Sequence, residues 1–296
     1  MTPPVAFGVG ATKAGTSWLY RALADHPGCH LPPVKELHYW DSFDPAQAAW
    51  QARAFRRNRD GHLRAAEAAR EAGDGARVAS RLRQAAALDR LAEIVEGPRA
   101  GDGPYRDFLL DGAQGRLVAD VTPAYALADA PTLRRMIEAF PESRVVYLVR
   151  DPVARLWSHL RMEATRSGAP EAEVGAKANA LLRRFLDEGA PPGVALRGDY
   201  PAAVARLREA VPPARLCVEY AERLFTDQGW RDLQAFLGLD PRPAPREVRH
   251  SGVDAPMDEP LRRRISLRLR PHYDWAAREV GPLPPAWAAT LERTAA

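Results

Sequence analysis

Lysine is almost absent from this 296-residue sequence: Lys13, Lys35 and Lys177 stand against 39 arginines. Two of the three fall within the first 36 residues, at positions that suit a compact ammonium rather than a planar guanidinium fork. Cysteine is scarcer still. Cys29 and Cys217 lie far apart with no metal-ligand spacing, and Cys29-His30 is not followed by a second pair. That pattern excludes a disulfide framework and argues against zinc. Reduced thiols in a cytoplasmic protein are the expectation. No apolar run approaches the roughly 18–20 residues of a membrane span. The start, Met-Thr-Pro-Pro, lacks the basic region of a signal peptide. There is no internal repeat and no carboxylate cluster suited to magnesium, so no metal is expected. The net charge of +4 favours anionic ligands without demanding nucleic acid.

The rest of the composition is ordinary, with 46% hydrophobic and 27% charged residues, and the length suits one large α/β domain or two small ones. The stretch Val5 to Leu23 organises the chain. Val5–Val9 is a short β-branched apolar run, as in a strand buried on both faces. Gly8, Gly10 and Gly15 bound a turn that carries Lys13, and Trp18, Leu19, Ala22 and Leu23 mark the apolar face of a following helix. A helix N-terminus with free N–H groups is an anion site, above all for phosphate. The loop is close to a Walker A loop, but Thr16 stands where the Walker lysine belongs. An ordinary βα turn that needs glycine is the plain alternative.

Further along, residues 44–104 are rich in Ala and Arg, with helical periodicity broken at Gly61 and at Gly73-Asp-Gly75. This reads as an insertion of two or three helices capping the core, with a solvated arginine face. Strands are expected at 116–120, 144–149 and 216–220. Helices are expected at 131–140, 152–167 with Asp151 as cap, 176–188, 200–210, 230–237, 259–269 and 272–280. Alternation of strands and helices predicts a parallel sheet covered on both faces, with ligands at the carboxyl ends of its strands. The fold class is therefore α/β: a P-loop-like nucleotide-binding fold in a single domain over 1–296, with a helical insertion.

Three motifs converge on one family. Lys-Ala-Gly-Thr-Ser-Trp-Leu resembles the 5′-phosphosulfate loop of sulfotransferases that use 3′-phosphoadenosine-5′-phosphosulfate (PAPS). Arg150-Asp-Pro-Val-Ala-Arg-Leu-Trp-Ser158, after a strand, resembles their 3′-phosphate motif, with Arg150 and Ser158 as the phosphate ligands. Paired with Asp151, Arg150 would be only a strand-end ion pair. Lys35-Glu-Leu-His-Tyr-Trp-Asp41 resembles the Lys-Glu-Pro-His-Phe-Phe-Asp segment of the glycosaminoglycan enzymes.

The resemblance implies a set of roles. PAPS would be the co-substrate and adenosine 3′,5′-bisphosphate the product. Lys13, Ala14, Gly15, Thr16, Ser17 and Trp18 would hold the donor's 5′ end, with Lys13 also stabilising the transition state. A late basic loop, Arg249-His250-Ser251-Gly252, would close over the nucleotide. Glu36 would be the base, with His38 as supporter and as the alternative base. Lys35, Asp41, Thr122 and Tyr125 would face the acceptor, a small molecule or a glycan. Val121 replaces the family's lysine before the Thr-Pro turn, which speaks against a sulfated polymer. Sugar, lipid, peptide and secondary-metabolite acceptors stay open, as does the oligomeric state. Two rival readings are a P-loop kinase or NTPase, which would need a lysine at 16 and a strand-terminal aspartate, and a non-catalytic nucleotide-binding module.

Overall fold

The computed structural model describes residues 3–98, 101–189, 191–245 and 252–295. In chain order its elements are β1 (Val5–Gly10), α1 (Thr16–Ala24), β2 (Cys29–His30), α2 (Pro45–Glu71), α3 (Gly75–Glu96), α4 (Gly103–Leu110) and β3 (Leu117–Asp120). A 3₁₀ turn (Pro123–Leu127), α5 (Ala130–Ala139), β4 (Arg144–Val149), α6 (Pro152–Arg166) and α7 (Val174–Glu188) follow. The remainder is α8 (Pro192–Leu196), α9 (Tyr200–Ala210), β5 (Leu216–Tyr220), α10 (Ala221–Leu224), α11 (Asp227–Leu237), α12 (Glu259–Glu279) and α13 (Pro285–Ala295).

The five strands form one sheet in the order β2-β3-β1-β4-β5, and every pairing is parallel. All six residues of β1 and all four of β3 are buried. Helices therefore cover both faces, as continuous apolar strands require. Because all strands run the same way, the connections that follow β1, β2, β3 and β4 leave at one edge of the sheet. The neighbouring strands β1 and β4 connect onward to opposite sides of the sheet, β1 to β2 and β4 to β5, and ligands of such sheets bind outside the carboxyl ends of the strands at that point.

Two glycines are fixed by this geometry. Gly10 has φ +154°, and a Cβ there would come within 2.7 Å of the Tyr147 ring. Gly15, at φ +88°, is the N-cap of α1.

Several expectations need correction. The turn-rich link 26–33 contains β2, too short to show in the sequence, which pairs with β3 through Cys29 and His30. Gly61 does not break the insertion. The insertion is two long helices, each capped by an aspartate: Asp44 accepts from the Gln47 N–H and Asp74 from the Arg77 N–H. Gly61 costs about 1 kcal/mol in a helix interior, but α2 and α3 lie against each other and are bridged by Arg56–Glu96 and Arg59–Asp89. Pro271 likewise fails to divide α12, because Leu261, Ile265, Tyr273 and Ala276 bury one side along its whole length. Helices α8, α10 and α13 were not expected. Asp151 caps α6 as expected, accepting from the Ala154 N–H at 2.8 Å.

Candidate active site

The loop after β1 presents donors toward the sheet edge. Lys13 sits at φ 69°, in the left-handed region where a non-glycine residue is uncommon. Gly15 has no side chain to cap α1, so the first N–H groups of that helix keep no intrahelical partner. Thr16 is buried and Ser17 half-buried. Ala14 is fully buried, and its N–H bonds back to the Ala11 carbonyl. Trp18 points elsewhere: its ring packs edge-on against Phe225 and Trp230, at 5.2 and 5.4 Å between centroids. Its side chain belongs to the core.

Arg150, at the end of β4, reaches across to this loop. Its Nη1 donates to the Lys13 carbonyl at 3.0 Å, so it clasps the left-handed residue instead of pairing with Asp151. Ser158, two turns into α6, opens onto a cavity of about 200 Å³ lined by Lys13, Arg161, Met162, Thr165, Arg166, Gly252 and Val253. Gly252 is thus placed beside the β1 loop; Arg249, His250 and Ser251 lie outside the described residues. The chain after Gly252 is strapped to α6, with Arg161 donating to the Val253 carbonyl at 2.6 Å and Trp157 to the Ala255 carbonyl at 3.0 Å.

Burial lowers the pKa of the Lys13 ammonium, and the charges of Arg150, Arg161, Arg166 and Lys35 lower it further. A cluster of like charges around a half-buried lysine is stable when an anion neutralises it. A larger cavity, about 490 Å³, lies on the opposite face of α6 beside α7; it is lined mainly by apolar residues and by none of the motif residues.

The connection after β2 carries the second half of the site. Glu36 and His38 are again left-handed, at φ 65° and 48°. Lys35 and Glu36 form an ion pair. His38 Nε2 lies 3.7 Å from the other Glu36 oxygen, and His38 Nδ1 is 2.8 Å from Asp41 Oδ2. Burial by itself would raise the Glu36 carboxyl, but His38 and the Lys35 charge outweigh it and hold it down at about 2. Burial would lower His38, yet Asp41 and Glu36 push the imidazole up to about 9. At neutral pH the segment therefore holds a carboxylate between two cations, with Glu36 the most exposed of the four side chains at 43%.

Thr122 and Tyr125 are placed differently from the expectation that they face an acceptor. Both are fully buried, with their oxygens turned to the Leu37 and Tyr39 N–H groups and to Asp120. Asp120 does end a strand beside β1, where a kinase would hold magnesium. Its two oxygens accept from three hydroxyls, however, and only 1% of it is exposed, so it is not available as a metal ligand.

A family model described as the sulfotransferase family matches residues 4–240. The chain belongs to the sulfotransferase family. Sulfuryl transfer is therefore its activity class, and it is an enzyme of the transferase type. This sulfotransferase has the fold of a crystallised sulfotransferase from Alicyclobacillus acidocaldarius: 21% identity, 97% of this chain and 100% of that one covered, TM-score 0.61. The sulfotransferase domain of the Synechococcus PCC 7002 olefin synthase aligns with 19% identity, 99% and 94% coverage and a TM-score of 0.45. No curated protein matches. Among the described residues, no helix is long and apolar enough to cross a membrane.

The sequence reading missed Arg161, Thr165 and Arg166 of this sulfotransferase. The signal was present: Ser158, Arg161 and Thr165 recur on one helical face. It also missed Asp120, a single carboxylate at the end of an apolar run, for which no local pattern exists.

Proposed function

We propose that this sulfotransferase moves the sulfuryl group of PAPS to an acceptor hydroxyl or amine, with Glu36 as general base. The acceptor oxygen or nitrogen forms a bond to sulfur in line, while the bond from sulfur to the bridging phosphate oxygen breaks. The acceptor proton passes to Glu36, and adenosine 3′,5′-bisphosphate leaves. The Gly15, Thr16 and Ser17 N–H groups and hydroxyls hold the 5′-phosphate. Lys13 neutralises charge growing on the bridging oxygen. Arg150 and Ser158 hold the 3′-phosphate with the Arg161–Arg166 side of the cavity, and Arg150 also fixes the loop through the Lys13 carbonyl. Lys35 keeps Glu36 charged and oriented.

One observation carries this reading. Among the described residues only Lys13, Glu36, His38 and Gln114 have positive φ without being glycine. Three of these four are the residues assigned to the chemistry. Such backbone costs of order 1–3 kcal/mol per residue and persists where the surroundings enforce it, commonly at sites of function.

The protonation states favour Glu36 over His38 as base. A histidine held at about 9 carries its proton at neutral pH and cannot accept another. A carboxylate at about 2 is free to accept but is a weak base. It takes the proton late, once bonding to sulfur has made the acceptor acidic. The chain is read as one domain with α2–α3 as its insertion. It is placed in the cytoplasm, in keeping with two free cysteines. Its acceptor is read as a small molecule or glycan. The test is PAPS-dependent gain of one sulfonate across chemically diverse acceptors, read by mass. Turnover of ATP with magnesium and none with PAPS would overturn the proposal.

A further inference from the structure

We infer that Asp120 is a positioning residue for the base segment, acting through the Thr122 and Tyr125 hydroxyls on the peptide units that follow Glu36 and His38. The inference rests on the reading of Glu36 as base.

Asp120 ends β3 and is almost completely buried. Its Oδ1 accepts from Thr122 Oγ1 at 2.6 Å. Its Oδ2 accepts from the Tyr125 hydroxyl at 2.7 Å and the Tyr105 hydroxyl at 2.8 Å. A hydroxyl has one proton to give. Having donated it to the carboxylate, Thr122 and Tyr125 present only lone pairs to everything else. Those lone pairs are met by two backbone N–H groups: Leu37 donates to Thr122 Oγ1 at 2.9 Å, and Tyr39 donates to the Tyr125 oxygen at 3.0 Å.

The placement of these two amides is specific. Leu37 follows Glu36 and Tyr39 follows His38, and Glu36 and His38 are the two left-handed residues of the segment. Each strained residue is therefore followed by a peptide unit whose N–H is tied, through one hydroxyl, to the same carboxylate. The Tyr105 ring also stacks on Tyr39, 4.3 Å between centroids and 7° from parallel. Thus one buried acid at a strand end sets both the polarity and the place of the loop that presents the base. None of these groups reaches the reacting atoms, so the role is to position.

The test uses the full chain with Tyr125→Phe, Thr122→Val, Thr122→Ser and Glu36→Gln. Adenosine 3′,5′-bisphosphate affinity reports whether each variant is folded with an intact donor site. Tyr125→Phe and Thr122→Val each remove one anchor with little change of shape. Each should lower kcat about 10–100-fold, the scale of a small misplacement of a reacting group, with nucleotide affinity unchanged. Thr122→Ser keeps the hydroxyl and should restore most of the rate. In the Glu36→Gln background Tyr125→Phe should cost nothing further, because the base it positions is already gone. Near-normal kcat for both Tyr125→Phe and Thr122→Val, with Glu36→Gln inactive, would overturn the positioning role and leave the base in place. An active Glu36→Gln would overturn the base reading itself. Full additivity of the two substitutions would also count against the inference, since it would show that Tyr125 acts elsewhere. Should Tyr125→Phe fail to fold, the Thr122 Val and Ser pair decides between the same outcomes.

Discussion

The loop 11–15 and the segment 34–41 leave the same sheet edge, and both contain left-handed non-glycine residues, yet they are held in place by different means. The loop 11–15 is anchored by β1 before it and the start of α1 after it, and by two bonds from the neighbouring β4 side, the Ala11 N–H to the Leu148 carbonyl and Arg150 to the Lys13 carbonyl. The base segment follows a two-residue strand and has no helix to enter until α2. Its backbone is tied instead to residues some 85 positions away, at the end of β3. Their charges differ as well. The donor side gathers cations that a bound polyanion would neutralise. The base side is internally paired, Lys35 to Glu36 and His38 to Asp41. On the proposed reading, a half-site that takes a polyanion can be left electrostatically incomplete, whereas one that presents a defined proton acceptor must be complete beforehand.

The sharpest way to break this comparison is Glu36→Gln, which keeps the side chain's shape but cannot accept a proton. Turnover should fall about 10²–10⁴-fold, with adenosine 3′,5′-bisphosphate binding unchanged by calorimetry. Lys13→Ala should come next, lowering kcat about 10²–10³-fold and donor affinity much less. A change confined to the donor's KM would make Lys13 a binding residue only. On the donor side alone, adenosine 3′,5′-bisphosphate should bind more tightly than adenosine 5′-monophosphate. Ser158→Ala should shrink that gap by about tenfold or more, since a hydrogen bond to a charged group contributes about 1.5–3 kcal/mol; equal loss for both nucleotides would move the 3′-phosphate elsewhere.

The pH dependence of the base side has a definite sign. Activity should already be full near neutral pH and should not climb toward the His38 value of about 9, as a histidine base would require. Because His38 is raised on folding, its contribution to stability is complete below its ordinary value of about 6.5 and is lost as pH rises through about 9. Glu36 is depressed, so its contribution holds above its ordinary range and is lost as pH falls through about 2. Thermal melts across that range check both limbs. The smallest effect is expected far from either half. Asp74→Ala removes the cap of α3 and should cost about 1 kcal/mol of stability, seen as a lower Tm with kcat unchanged.

Much of the donor side could be read from the chain because its information is local. A β-branched run, spaced glycines and an apolar helical face within 20 residues specify strand, turn and helix. The strand end at Val149 and the proline-started helix after it followed by the same logic, whereas Arg150 and Ser158 were singled out through resemblance to a known motif. The base residues were legible only through resemblance to a known segment. Their strained backbone, their mutual pairing and the burial of Thr122 and Tyr125 were not. Trp18 is legible only in part: helical spacing says that it faces inward, and only the structure shows its ring packed on Phe225 and Trp230.

By itself the sequence determined the alternation of strands and helices, the parallel sheet they imply and the glycine-bounded turn that carries Lys13. These depend on residue type and short spacing, which act before the chain has folded. Tertiary structure alone decided that Cys29-His30 pairs with β3, that Gly61 and Pro271 stay inside helices, and that Arg150 holds the Lys13 carbonyl. It also decided that Asp120 stands behind the base segment. Each of these is a contact between residues distant in the chain, or a local cost offset by burial elsewhere, and neither is visible until the distant partner is in place.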